Sequence, residues 1–480
     1  MFEPKTAPYG SWKSPITSNL IVNGSVGLSQ PTLVGSDIYW VEMRPSEGGR
    51  QVIVRREGSG EATDVNPPPF NARTRVHEYG GGDYVVSEGV VYFSNFADQR
   101  LYRQVPGGEP EAITPEGRFR YADAVVDTKR CRLICVREDH TVANGEAVNT
   151  LASIQLNGAE SYGEVLVEGN DFYSSPRLSP DGAHLAWLTW HHPQMPWDGT
   201  ELWTADLEAG GDLTNIRQVA GNSSESIVQP EWSPDGTLYF VSDRSGWWNL
   251  YRSGTNGEIE AVTELEAELG VPHWIFGMSN YAFESAGRII CTYYERGMSK
   301  LALLDIRSGQ LEQIDNSYTD ITFLRAVSGQ AVFRAGSPSE PPSIVKLDLG
   351  TKAFEVLRRS NNLQIDADYF SAARAVEFPT TDGLTAHAFY YPPRNPDYRA
   401  TNGERPPLLV KSHGGPTSAA ATALSLMIQY WTSRGIGVLD VNYGGSTGYG
   451  RPYRERLKNQ WGVVDVADCA NGAAHLVSLG

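Results

Sequence analysis

The sequence predicts an all-β seven-bladed β-propeller over residues 30–360, then the N-terminal part of an α/β domain over 366–480. Three observations predict it. Short aromatic and β-branched phrases recur seven times at a spacing of about 40 to 55 residues, the period of propeller blades. Two of them share one turn: Ser179-Pro180-Asp181-Gly182 leads into AHLAWLTW, and Ser233-Pro234-Asp235-Gly236 leads into TLYFVSD. Near residue 366 the pattern changes to strands alternating with helices, which means a parallel sheet.

In chain order, residues 1–29 form an N-terminal segment with no apolar leader region. The β phrases then run SDIYWVEM, EGVVYFSN, KRCRLICV, AHLAWLTW, TLYFVSD, AGRIICTYY and SGQAVFRA. A second strand often follows, as in QRLYRQV, ELWTADL, WNLYRSG and SKLALLDI. One blade cannot bury both of its faces, whereas a closed ring of blades can. Trp187, Trp203 and Trp232 are therefore expected to pack between blades. Cys131 and Cys135 are expected on one face of a strand, and with Cys291 and Cys469 as buried thiols rather than a disulfide framework. NPPPFN (66–71) reads as a stiff turn.

In the second part, RAVEFPTTDG and LTAHAFYYPP predict a hairpin pair. PPLLVKSHGG predicts a buried strand ending in glycines, and SAAATALSLMIQYWTSRG a helix with a Gly stop. IGVLDVNY is a further strand; YRERLKNQW and VVDVADCANGAAHLVSLG are helices. The net charge of −17 argues against nucleic acid and against an anionic membrane as partner. No apolar run reaches the ~18 residues of a membrane span, and a cytoplasmic location is expected.

The stretch NYGGSTGYG (442–450) contains a literal G-x-S-x-G, the nucleophile-elbow pattern. Ser446 is nevertheless not expected to be a nucleophile. The acids and histidine after it, Asp465, Asp468 and His475, all lie on one predicted helix. His475 stands roughly 10 Å beyond Asp468 along that helix at 1.5 Å per residue. A triad needs side chains that converge from several loops. A loop whose glycines supply unusual backbone angles is the alternative reading.

His413-Gly414-Gly415-Pro416, NYGGSTGYGRPYR (442–454) and WGVVDVADC (461–469) together resemble the prolyl oligopeptidase family of serine peptidases, in its acylaminoacyl-peptidase and dipeptidyl-aminopeptidase branch. SDRSGWWNLYR (242–252) and RTRVHEYGGG (73–82) add to the resemblance from the propeller side. It implies a propeller followed by the N-terminal part of an α/β-hydrolase domain. It also implies that the catalytic serine, acid and histidine lie beyond Gly480, so that this chain alone is inactive. Many relatives carry Arg where this chain has Gly444, so a substrate contact made by that Arg is absent here.

The resemblance places the backbone of Gly414 and Gly415 in the oxyanion hole, where one lost donor costs about 2.7–4 kcal/mol. His413, Tyr443 and Tyr449 are expected beside the substrate. In RTRVHEYGGG, Glu78 is a candidate for a peptide's α-ammonium, and Arg75 with His77 for its other polar groups; a solvated ion-paired loop is the alternative. His191-His192 are adjacent on an extended segment and point to opposite sides, so no metal site is expected, and no cofactor. The expected function is hydrolysis of short peptides from a terminus through an acyl-enzyme, by a protein that assembles as a homo-oligomer. The rival expectation is a non-catalytic propeller that binds peptides or proteins.

Overall fold

The computed structural model describes residues 3–22, 25–142, 145–158, 161–254 and 257–480. Among them, seven four-stranded antiparallel sheets follow one another, at 27–64, 84–112, 119–167, 172–222, 227–261, 281–313 and 320–359. Strands pair in sequence order within each sheet, so short turns suffice to build it. The two Ser-Pro-Asp-Gly stretches are such turns: Ser179 Oγ donates to Asp181, Ser233 Oγ donates to Asp235, and Gly182 and Gly236 take positive φ.

Apolar clusters lie between consecutive sheets. Trp187 and Trp203 pack into one that joins the third and fourth sheets, and Trp232 packs against one that joins the fourth and fifth. Leu28, Trp40 and Val54 of the first sheet share a cluster with Val332 and Ile344 of the seventh, so the succession closes into a ring. A second device repeats around the inside. In five sheets the first strand slips register at a residue with left-handed backbone: Gln30, Asp123, Ser175, Gln229 and Phe323. Three of these bulges let a side chain reach the next sheet's backbone. Asp83 N–H donates to Gln30 Oε1 at 3.1 Å, Ser175 N–H to Asp123 Oδ2 at 2.6 Å and Asn280 N–H to Gln229 Oε1 at 2.7 Å.

The α/β part contains strands β1 (Arg374–Pro379), β2 (Thr385–Tyr391), β3 (Leu408–Ser412) and β4 (Gly437–Asn442). Their order is β1-β2-β4-β3, with β3 and β4 parallel and the other pairs antiparallel. Helices α1 (Leu426–Thr432), α2 (Arg451–Arg454) and α3 (Val464–Leu479) accompany them. Phe378, Ala386, Leu439, Val441 and Leu457 form the core, and Gly472 lets α3 approach Phe378 and Leu439.

Three sequence expectations are corrected. The PPLLVKSHGG strand is half-buried, because β3 is an edge. The helix expected over 418–435 is confined to Leu426–Thr432, because the preceding residues bond elsewhere: Ala420 N–H to Asn442 Oδ1, and Leu424 N–H to the Ser337 carbonyl of the ring. Cys131 is exposed in a left-handed turn before its strand and shares no face with buried Cys135. Within the N-terminal segment, Lys5–Thr6 pairs with Tyr398–Arg399, and Ile16 is buried with Phe370 and Leu424 of the α/β unit.

Two arginines of α2 dock this part on the ring. Arg451 reaches Asp243 at 2.7 Å, and Arg454 reaches the same carboxylate at 2.5 Å. Arg454 also lies 3.9 Å from Glu268 and over the ring of Trp248. Asp243 and Glu268 are fully buried. Glu268 accepts from the N–H groups of Trp248 and Gly450, and burial pushes its carboxyl up to about 7.

Candidate active site

The site grows from the end of β3. His413 follows the strand and turns back on itself, its Nδ1 bonded to the Gly414 carbonyl at 2.7 Å. That leaves Nε2 as the acceptor, and the Ser446 hydroxyl donates to it at 2.6 Å. The Tyr443 ring stacks on the imidazole at 4.4 Å, and its hydroxyl lies 3.3 Å from Nδ1. Burial holds the His413 imidazole below its ordinary pKa, so it is neutral near pH 7. Gly414 and Gly415 are exposed. Among the described residues, no turn or loop hydrogen bond takes up their N–H groups. A Cβ at Gly415 would meet the Trp461 ring at 3.0 Å and the Tyr443 hydroxyl at 3.3 Å, so the close approach requires glycine there.

The hydrogen bond between Ser446 and His413 was not legible in the sequence. A triad search downstream of the serine passes over a histidine 33 residues upstream of it. The pair has the contact of a nucleophile and its base, but Ser446 is fully buried, and His413 Nδ1 meets a backbone carbonyl and a phenol, the Gly414 carbonyl and the Tyr443 hydroxyl. Asp468 is committed elsewhere: it accepts from the Thr380 hydroxyl and from Gly444 N–H. A side chain at Gly444 would meet Val464 at 2.9 Å and Arg456 at 3.1 Å, so the space an arginine would need there is filled. Tyr449 stacks on His387 at 4.2 Å, and its hydroxyl accepts from Asn442. It seats against Gly297 of the ring, where a Cβ would stand 2.7 Å from the hydroxyl.

Inside the ring, beside the α/β part, lies a cavity of about 1360 Å³. Glu78 and His77 line it; Arg75 does not, its guanidinium lying over Phe96. Both His77 and Glu78 have left-handed backbone. Glu78 is 81% exposed and pairs with Arg120 at 3.3 Å. Glu138 is buried behind them and accepts from His77 N–H at 2.7 Å. Burial pushes the His77 imidazole down to about 4, so it is uncharged. Among the described lining residues carboxylates outnumber arginines: Glu78, Glu138, Glu146, Glu168 and Asp171 stand against Arg120, which pairs with Glu78 and Glu138. Phe172 and Trp190 stack at 5.3 Å, and Trp197 lies 4.3 Å from Trp274. Trp274 Nε1–H donates to the Thr417 carbonyl at 2.8 Å, joining this wall to the loop that carries Gly414 and Gly415.

A ring of sheets whose cavity wall is bonded through Trp274 to a loop with glycines at a strand end has the build of a hydrolase-type α/β unit beside a propeller-type ring. The model of the prolyl oligopeptidase family matches residues 422–480. A puromycin-hydrolysing peptidase of Mycobacterium tuberculosis is 41% identical, with a TM-score of 0.94 over 98% of this chain and 75% of that one. A serine-to-alanine variant of puromycin hydrolase complexed with PGG is 38% identical, with a TM-score of 0.94 over 99% of this chain and 75% of that one. The acylamino-acid-releasing enzyme of Arabidopsis thaliana is 24% identical over 52% of this chain and 38% of its own length. The chain thus spans well under half of that curated relative. It belongs to the prolyl oligopeptidase family of serine peptidases.

Proposed function

We propose that the protein is a serine peptidase that hydrolyses short peptides from a terminus through an acyl-enzyme, with the seven sheets as the blades of a propeller over 30–360 and the hydrolase part over 366–480. In this reading the amides of Gly414 and Gly415 hold the oxyanion, and His413 and Tyr443 border the substrate. Glu78 and His77 meet it in the chamber, while Arg75 and Tyr449 support those groups by packing. Ser446 locks His413, and the triad is not among the 480 residues, so this chain alone is inactive. The observation that carries the proposal is the 41% identity, over nearly the whole chain, to a peptidase that hydrolyses puromycin. The acidic chamber supports substrates with a free amine, including aminoacyl amides.

The test is labelling of the protein from its natural source with a fluorophosphonate serine probe, with the modified peptide identified by mass spectrometry. A labelled serine other than Ser446, on a chain heavier than 52.7 kDa, supports the proposal. Label on Ser446 overturns its role as a lock. An unlabelled protein of 52.7 kDa leaves a peptide-binding module in place of a peptidase.

A further inference from the structure

Trp274 is a residue of the ring, yet its polar atom serves the other unit. The indole lies between Trp197 at 4.3 Å and Tyr79 at 5.3 Å on the chamber wall. Its Nε1–H crosses 143 positions of sequence to the Thr417 carbonyl. Thr417 is buried, and its hydroxyl meets that of Thr447 at 2.8 Å. Thr447 N–H donates to the Ser418 carbonyl at 2.8 Å, and the neighbouring Ser446 holds His413. The segment 413–418 is therefore fastened from within its own unit on one side and by one indole from the ring on the other.

We propose that Trp274 is a positioning residue for the oxyanion loop: its N–H bond to Thr417 sets where the Gly414 and Gly415 amides stand. The proposal rests on the peptidase reading only for its kinetic consequence. Preorganised donors act through position, and a displacement of about 1 Å costs up to 10²-fold in rate. The Gly414 and Gly415 N–H groups donate to no described loop acceptor, and the peptide between them is held only through its carbonyl, by His413 Nδ1. The contact also ties the aromatic wall to the loop, so displacement of Trp274 by a chamber ligand shifts both amides.

Trp274→Phe keeps an aromatic ring and removes the donor; Trp274→His keeps an N–H donor on a smaller ring. Hydrogen exchange on the intact chain is read at the bonded amides that flank the loop, Ala420 N–H on Asn442 and Thr447 N–H on the Ser418 carbonyl, with 288–295 of the ring as an internal control. Trp274→Phe is expected to speed exchange at Ala420 and Thr447 roughly tenfold, leave 288–295 unchanged, and be partly rescued by Trp274→His. In source-derived enzyme assayed on puromycin, it is expected to lower kcat roughly tenfold with KM within about twofold. Wild-type exchange in Trp274→Phe, or a raised KM with unchanged kcat, overturns the proposal. If Trp274→Phe does not fold, Trp274→His decides: protection of Ala420 and Thr447 retained supports the role, and protection lost overturns it. Wild-type enzyme that turns over no substrate defeats the peptidase reading, while the exchange result still decides the position of the loop.

Discussion

The ring closes on itself, whereas the α/β unit, over the residues up to 480, is held by contacts to the ring. Each sheet of the ring buries its faces against two neighbours, and the last sheet meets the first, so no face is left over. The α/β unit has one four-stranded sheet with an edge at β3, and α3 leaves Val466, Val477 and Leu479 largely exposed. Its position depends on bonds to the ring through Arg451, Arg454 and the Thr417 carbonyl. The ring holds itself together by repetition. The unit that carries the glycine amides is positioned from outside.

The largest test of this contrast is at the interface. Arg454→Ala leaves Asp243 and Glu268 buried with reduced compensation, a change that costs ~3–5 kcal/mol in such pairs. The α/β unit is expected to lose protection in native-state hydrogen exchange before the ring does. Equal loss in both units would break the comparison. Trp40→Ala opens the cluster between the first and seventh sheets and costs ~3–5 kcal/mol. Here the ring is expected to melt at lower denaturant, and an unchanged ring midpoint would show that closure contributes little.

A smaller effect follows from pH. Because Glu268 titrates near 7 in the fold against 4.5 ordinarily, the folded state holds its proton more tightly. Its contribution is fully present below about 4.5, is lost as pH rises to about 7, and is flat above. Glu268→Gln is expected to remove that part of the Tm slope, which wild-type and variant melts at matched pH would show. Smallest is Gly445→Ala. Its φ of +129° and the 2.7 Å approach to Leu457 Cβ predict a loss of ~1–3 kcal/mol. The loss is expected in the α/β unit alone, by differential exchange.

What was legible in the sequence was local. Strand phrases such as AHLAWLTW, the Ser-Pro-Asp-Gly turns and the hairpin of β1 and β2 follow from side-chain period and turn chemistry within a few residues. The helix over 418–435 was over-read for the same reason: its apolar spacing is helical, but Ala420 and Leu424 find better partners on Asn442 and on the ring. The glycine-ended strand at His413-Gly414-Gly415 was legible because glycines at a strand end are a local signal, whereas the oxyanion role proposed for them came from the family resemblance. The Ser446–His413 bond left no such signal, since a serine and a histidine 33 positions apart have no fixed spacing.

The sequence by itself determined the order and kind of the elements, because backbone preference and hydrophobic period act over a few residues. Only the tertiary structure decided that Arg454 meets Asp243 across 211 positions, that Trp274 meets Thr417 across 143, and that Ser446 faces a histidine rather than solvent. Those contacts exist because ring closure brings distant loops to one face, where buried polar groups take the partners they find there.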